Sequence, residues 1–251
     1  MASSRIEHQP AYLLHSRPYR DTSALLELWT LEFGRVGLVA RGARGARSAW
    51  RGALNSFQPL QVSWSGGGDL KTLRDLEPDG IVGLPQGESL AAAYYVNELL
   101  LRTCQRQDPH PQLYLSYVKL MAALCDADVT ASGGVERPLR YFEVALLAEL
   151  GYGLIVDVDE SGQILNPAME YCYVHERGPV NEASLGGQGG SAIGVRITGQ
   201  LLVDLQAARL DDSQLPMAKR LMRSLLQPHL GDKPLESRRL WAAISKVGKS
   251  S

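Results

Sequence analysis

Arg35, Arg41, Arg44, Arg47 and Arg51 lie in a stretch with no acidic residue from Gly34 to Gly68, so their positive field is not cancelled locally. The chemistry open to such a run is non-covalent. A guanidinium neutralises phosphate and releases condensed counterions, giving sequence-independent, salt-sensitive attraction to a nucleic-acid backbone, and its planar face stacks on exposed bases. The last four arginines recur at the spacing of one helix face, but Gly42, Gly45 and Gly52 interrupt them and favour a flexible loop. A solvated loop without a partner has the same composition. Lys71 and Arg74, in a β-prone stretch, are secondary candidates for the same role, with plain surface-strand charge as the alternative. Among the nearby aromatics Trp50 is expected to be exposed for stacking, whereas Phe57 and Trp64 suit a small core.

Covalent chemistry has less support. The sequence holds no Gly-x-x-x-x-Gly-Lys-Ser/Thr phosphate loop, no Gly-x-Ser-x-Gly elbow and no His-Glu-x-x-His helix, and His8, His15, His110, His175 and His229 are dispersed. Cys104, Cys125 and Cys172 are too far apart for a zinc site and odd in number for a disulfide framework, so reduced thiols are expected. Asp157, Asp159, Glu160 and His175 include possible metal ligands, but acids beside Ser161-Gly162 read better as a turn. No catalytic residue, cofactor or metal is expected, and an enzyme is not the reading.

The elements that must display these residues follow from composition and periodicity. At 251 residues, 45% hydrophobic and 21% charged, the chain suits two modest domains. Its net charge of −1 hides a partition: residues 1–74 are basic, 75–218 acidic and 219–251 basic again. There is no apolar run long enough to span a bilayer and no signal-peptide pattern at the start, so a cytoplasmic location is expected. Short β-prone runs at Ala11–Leu14, Ala24–Thr30, Val36–Ala40, Leu60–Trp64 and Lys71–Leu76, separated by turn residues, predict a small closed barrel. An OB-fold is one of several that would fit. From Ser89 the period becomes helical, over Ser89–Arg106, Leu113–Leu124, Pro138 to Gly151, Thr198–Arg209, Gln214–Gln227 and Ser237–Ser245. The expected class is α+β: a domain over 1–80, then a helical domain over 81–251 with an irregular insertion at about 153–197. The C-terminal cations, Lys219, Arg220, Arg223, Lys233, Arg238, Arg239, Lys246 and Lys249, read either as the wet face of amphipathic helices or as an extension of a DNA path.

An ordered series of short motifs resembles the RecO family of DNA-repair proteins. It begins with His15-Ser16-Arg17-Pro18-Tyr19, Gly34-Arg35-Val36, Val39-Ala40-Arg41-Gly42-Ala43-Arg44 and Leu70-Lys71-Thr72-Leu73. It continues with Tyr95-Val96-Asn97-Glu98-Leu99-Leu100, Leu139-Arg140, Phe142-Glu143, Leu150-Gly151-Tyr152-Gly153, Lys233-Pro234-Leu235 and Ser237-Arg238. The resemblance spans nearly the whole chain. It implies an OB-fold N-terminal domain, a helical C-terminal domain, and a recombination mediator that binds single- and double-stranded DNA and anneals complementary strands. It also implies help to RecA in loading onto DNA coated by single-strand-binding protein, acting with RecR, in a nucleoid-associated cytoplasmic protein.

The resemblance further implies that Arg140 lies at a pocket for the acidic C-terminal tail of single-strand-binding protein, whose terminal carboxylate a guanidinium can grip bidentately. Against this stands an ion pair with Glu136 or Glu143 on the same helix. Some family members carry two Cys-x-x-Cys units after the Leu-Gly-Tyr motif. Cys172 alone occupies that region here, so structural zinc is not expected. A protein-only adaptor without direct DNA binding is the other reading.

Overall fold

Leu26 and Leu28 alternate with the half-buried Leu25 and Glu27, which is the pattern of a strand buried on one face. The computed structural model describes residues 5–45, 48, 50, 52–80, 83–126, 134–181 and 194–247. Five strands, β1 (Arg5–Tyr19), β2 (Ser23–Thr30), β3 (Gly34–Ala40), β4 (Pro59–Ser65) and β5 (Leu70–Pro78), close a barrel in the order β1-β2-β3-β5-β4. All neighbours are antiparallel except β3 and β5, paired in parallel through Gly37–Leu70, Leu38–Lys71 and Val39–Thr72. This is an OB-fold barrel. Leu13, Leu26, Leu28, Val36, Leu38, Leu60, Val62 and Trp64 fill it.

Closure depends on β1, which is longer than its sequence signal. Its first half pairs with β4, from Arg5–Ser65 to Tyr12–Pro59, and its second with β2, from Ala11–Thr30 to Tyr19–Ser23. The register shifts between Ile6 and Gln9 and between Leu13 and His15 let one strand turn from one neighbour to the other. His8 sits in the first of these bulges at φ 49°, with its N–H on the Ser63 hydroxyl at 3.1 Å.

Helices α1 (Gly87–Thr103) and α2 (Pro111–Cys125) pack with the barrel, and a buried amide organises the contact. Asn97 of α1 donates to the carbonyl of Leu14 at 3.0 Å and accepts from the Tyr117 hydroxyl of α2 at 2.7 Å. The remaining α-helices among the described residues are α3 (Glu136–Glu149), α4 (Gly199–Gln206), α5 (Leu215–Leu226) and α6 (Ser237–Val247). Gly151, at φ 85°, ends α3 with its N–H on the Ala148 carbonyl and that of Tyr152 on Leu147, which is why glycine follows this helix.

The stretch expected to be irregular contains a three-stranded antiparallel sheet. Its strands are β6 (Glu170–Val174), β7 (Gly178–Asn181) and β8 (Val195–Thr198), in the order β7-β6-β8, around Cys172, Val174 and Val180. Gly186 to Gly190 lie outside the described residues. By contacts the chain forms two compact units, Met1–Thr130 with Pro234–Ser251, and Ala131–Lys233. The helices assigned from sequence to one C-terminal domain are therefore divided: α1, α2 and α6 belong with the barrel, and α3 to α5 with the small sheet.

Candidate nucleic-acid interface

Directly after β3, residues Arg41 to Gly45 form a built turn. Gly42 takes φ 70°, which carries the chain back so that Ala43 enters the barrel core. The Gly45 N–H then reaches the Gly42 carbonyl at 3.0 Å. With Ala43 buried, Arg41 and Arg44 on either side of it point to solvent. The turn is also tied to the β1–β2 hairpin, because the Arg44 N–H donates to the Thr22 carbonyl at 2.8 Å and its guanidinium reaches the Arg20 carbonyl at 3.4 Å.

That docking adds a residue that the sequence reading missed. Arg20, exposed at φ 51° in the hairpin, lies 5.2 Å from the centroid of the Tyr19 ring. Arg20, Arg41 and Arg44 therefore converge from two turns that are separate in sequence. Arg17 is exposed on the outer face of β1, in a row continued across the sheet by its partner Leu25, then Val39, then Thr72. In sequence Arg17 stands out only within the His15-Ser16-Arg17-Pro18-Tyr19 motif and Arg20 not at all, since no spacing rule links residue 20 to residue 44.

Arg35 has a different place. Its side chain is 16% exposed, its Nε is 3.4 Å from Glu27, and its Nη1 donates to the carbonyls of Leu101 and, at 2.9 Å, Cys104. It therefore satisfies the C-terminal end of α1 against β3 and has little left for a ligand. Glu27 also holds Arg106, and a Cβ on Gly37, the residue facing Glu27 on β3, would come within 3.0 Å of the Arg106 guanidinium carbon. Arg106 is a structural partner that sequence did not single out.

Lys71 is half-buried, with Nζ 3.1 Å from the Gly68 carbonyl. Burial lowers the pKa of its ammonium; Asp69 opposes that shift and Arg106 adds to it. Arg74 is exposed, with Nε on the Ser65 hydroxyl at 2.6 Å. Because β5 runs parallel to β3, Arg74 lies beyond Thr72 in the direction in which Arg41 lies beyond Ala40. Arg47 and Arg51 fall outside the described residues. Trp50, expected to be exposed, is half-buried and packs against the barrel core, while Phe57 and Trp64 are buried.

Arg140 is buried on α3. Its side chain is 5% exposed, with Nη2 2.9 Å from Glu143 and 4.0 Å from Glu136. The intrahelical ion pair is formed through Nη2, while the buried Nε has no hydrogen-bond partner. Among the described residues no group of three or more His, Cys, Asp or Glu side chains could hold a metal ion, and no helix is long and apolar enough to cross a membrane.

Family comparison divides the chain at the end of the barrel, near residue 80, and not where the two compact units part. A family model described as Recombination protein O N terminal matches residues 1–80, and one described as Recombination protein O C terminal matches residues 84–239. The chain belongs to the RecO family. DNA repair protein RecO of Dechloromonas aromatica (strain RCB) is 43% identical over 246 residues, covering 97% of this chain and 98% of the relative. That of Nitrosococcus oceani is 43% identical over 249 residues, covering 98% and 97%, and that of Alkalilimnicola ehrlichii 39% over 252, covering 100% and 97%. The role of this RecO-family chain lies in DNA repair and recombination.

Proposed function

We propose that the chain binds single- and double-stranded DNA through the barrel turns bearing Arg20, Arg41 and Arg44. Arg17 and Arg74 extend the contact and Lys71 adds a weaker one. The observation that carries this reading is the pinned turn: burial of Ala43 and the Arg44–Thr22 hydrogen bond present cations from two turns on one small surface. Arg47 and Arg51 belong to the same basic stretch of sequence and enter the proposal on that ground alone. The contact is to backbone phosphate and therefore indifferent to base sequence, a property that annealing of complementary strands requires.

Within DNA repair the chain acts as a mediator rather than an enzyme, annealing strands and helping RecA load onto DNA coated by single-strand-binding protein, together with RecR. The tail of single-strand-binding protein remains a proposed partner. Arg140 supports that contact by ordering α3, since its guanidinium is already engaged by Glu143.

The test is annealing of complementary oligonucleotides coated with single-strand-binding protein, with and without RecR. We expect R20A/R41A/R44A to anneal at least about tenfold more slowly than the unaltered protein at unchanged thermal stability, because all three side chains are exposed. Unchanged annealing by the triple variant would favour the adaptor reading, in which the arginines only solvate the barrel.

A further inference from the structure

Helix α5 is divided cleanly between two faces. Ala218, Leu221, Met222, Leu225 and Leu226 are buried, whereas Arg220, Arg223 and Ser224 are exposed, and Gln227 continues their line into the following 3-10 turn. Positions 223 and 224 each lie three or four residues from both 220 and 227, so the four form one polar stripe along the helix. The stripe is one wall of an open groove of about 720 Å³, completed by Val195 of β8, Pro228, Gly231 and Asp232. All of these residues belong to the unit Ala131–Lys233, so the groove is independent of the barrel.

We propose that this groove is a second nucleic-acid site, which holds the phosphate backbone of a single strand while the barrel turns hold another. The inference rests on the reading of the barrel as a DNA-binding domain and extends it to a second strand. Arg220 and Arg223 lie one helical turn apart, a rise of about 4.5 Å. That places two charged forks along a backbone rather than around one anion. Ser224 and Gln227 supply neutral donors along the same line, suited to phosphate and sugar oxygens. Among the described residues that line the groove Asp232 is the one carboxylate, and it confines an anionic chain to the α5 wall. Among the described lining residues Val195 and Pro228 are the apolar side chains and none is aromatic, so they offer little of the socket that would anchor an apolar peptide terminus. A mediator with two backbone sites on separate units can bring two strands together without reading either sequence.

The experiment is a stoichiometric titration of the full chain with dye-labelled oligothymidylate, each strand only long enough to fill one site, at protein concentrations well above the dissociation constant. The unaltered protein is expected to take two strands, R220A/R223A one, R20A/R41A/R44A one, and the combined variant none. Thermal melting of R220A/R223A is expected to be unchanged because both side chains are exposed. Two strands bound by R220A/R223A overturn the groove site, as does a single strand bound by the unaltered protein. The latter leaves the barrel reading standing, whereas no binding by the unaltered protein defeats the barrel reading itself. If R220A/R223A instead loses binding to an acidic peptide while keeping two strands, the groove is a peptide site and the proposal fails.

Discussion

At the scale of single residues, arginines of the same composition do opposite things, and burial decides which. Arg41 and Arg44 flank the buried Ala43 and face water, whereas Arg35 turns inward to Glu27 and the end of α1. Arg35→Ala is accordingly expected to lower unfolding free energy by about 2 kcal/mol, the scale of a charge-assisted hydrogen bond, and to leave the salt dependence of DNA binding as it was. Chemical denaturation and a salt titration on the same preparation check both halves. Arg140→Ala should cost about 3 kcal/mol, since it leaves the Glu143 carboxylate buried without its ion-pair partner, while Arg140→Met with Glu143→Leu should recover most of that loss. If Arg140→Ala melted like the unaltered protein, the ion pair would not hold α3. The candidate cations from Arg41 to Arg74 were legible in sequence because type and local charge are written there. The burial of Arg35 and the recruitment of Arg20 were not, because both depend on contacts between residues more than twenty positions apart.

At the scale of elements, periodicity was readable where one face of an element is buried and failed where a bulge or short length breaks the pattern. β2 alternates from Ser23 to Leu28 and β3 around Arg35 and Val39, and α3 carries its proline and its glycine at the expected ends. Only Ala11–Leu14 of β1 stood out, because the bulges at His8 and before His15 interrupt alternation over the rest. The β6–β8 sheet escaped notice because its strands have four or five residues each.

The seat of α6 is another feature beyond sequence reach. Glu98 of α1 accepts from the Ser237 N–H at 2.9 Å, the Ser237 hydroxyl at 2.7 Å and the Glu236 N–H at 3.0 Å, so a carboxylate from a distant helix caps the start of α6. Burial alone would raise the Glu98 carboxyl, but those hydrogen bonds and Arg102 outweigh it and hold the pKa below the ordinary glutamate value. A carboxyl depressed on folding stabilises the folded form fully above its unfolded pKa and loses that contribution as pH falls through its folded pKa. Hydrogen exchange in α6 is therefore expected to quicken as pH drops below the usual glutamate range, after correction for intrinsic exchange rates. Glu98→Gln should show the faster exchange already at neutral pH. Slow α6 exchange in Glu98→Gln would show that packing on α1, and not the cap, seats the helix.

At the scale of the whole molecule, near-neutral net charge conceals a basic barrel end and a basic α5 wall on separate compact units. Composition alone pointed away from nucleic acid; the folded chain gathers its cations where they are not cancelled. The central claim is that Arg20, Arg41 and Arg44 contact phosphate. Its most direct measurement is the affinity of the full chain for unstructured oligothymidylate across a range of salt concentrations, for the unaltered protein and for R20A/R41A/R44A. Each phosphate contact on a single strand contributes about 0.7 to the slope of log affinity against log salt. The triple variant is expected to bind more weakly, with a slope shallower by about 2. Equal affinity and equal slope in the two proteins would contradict the assignment of these turns to DNA.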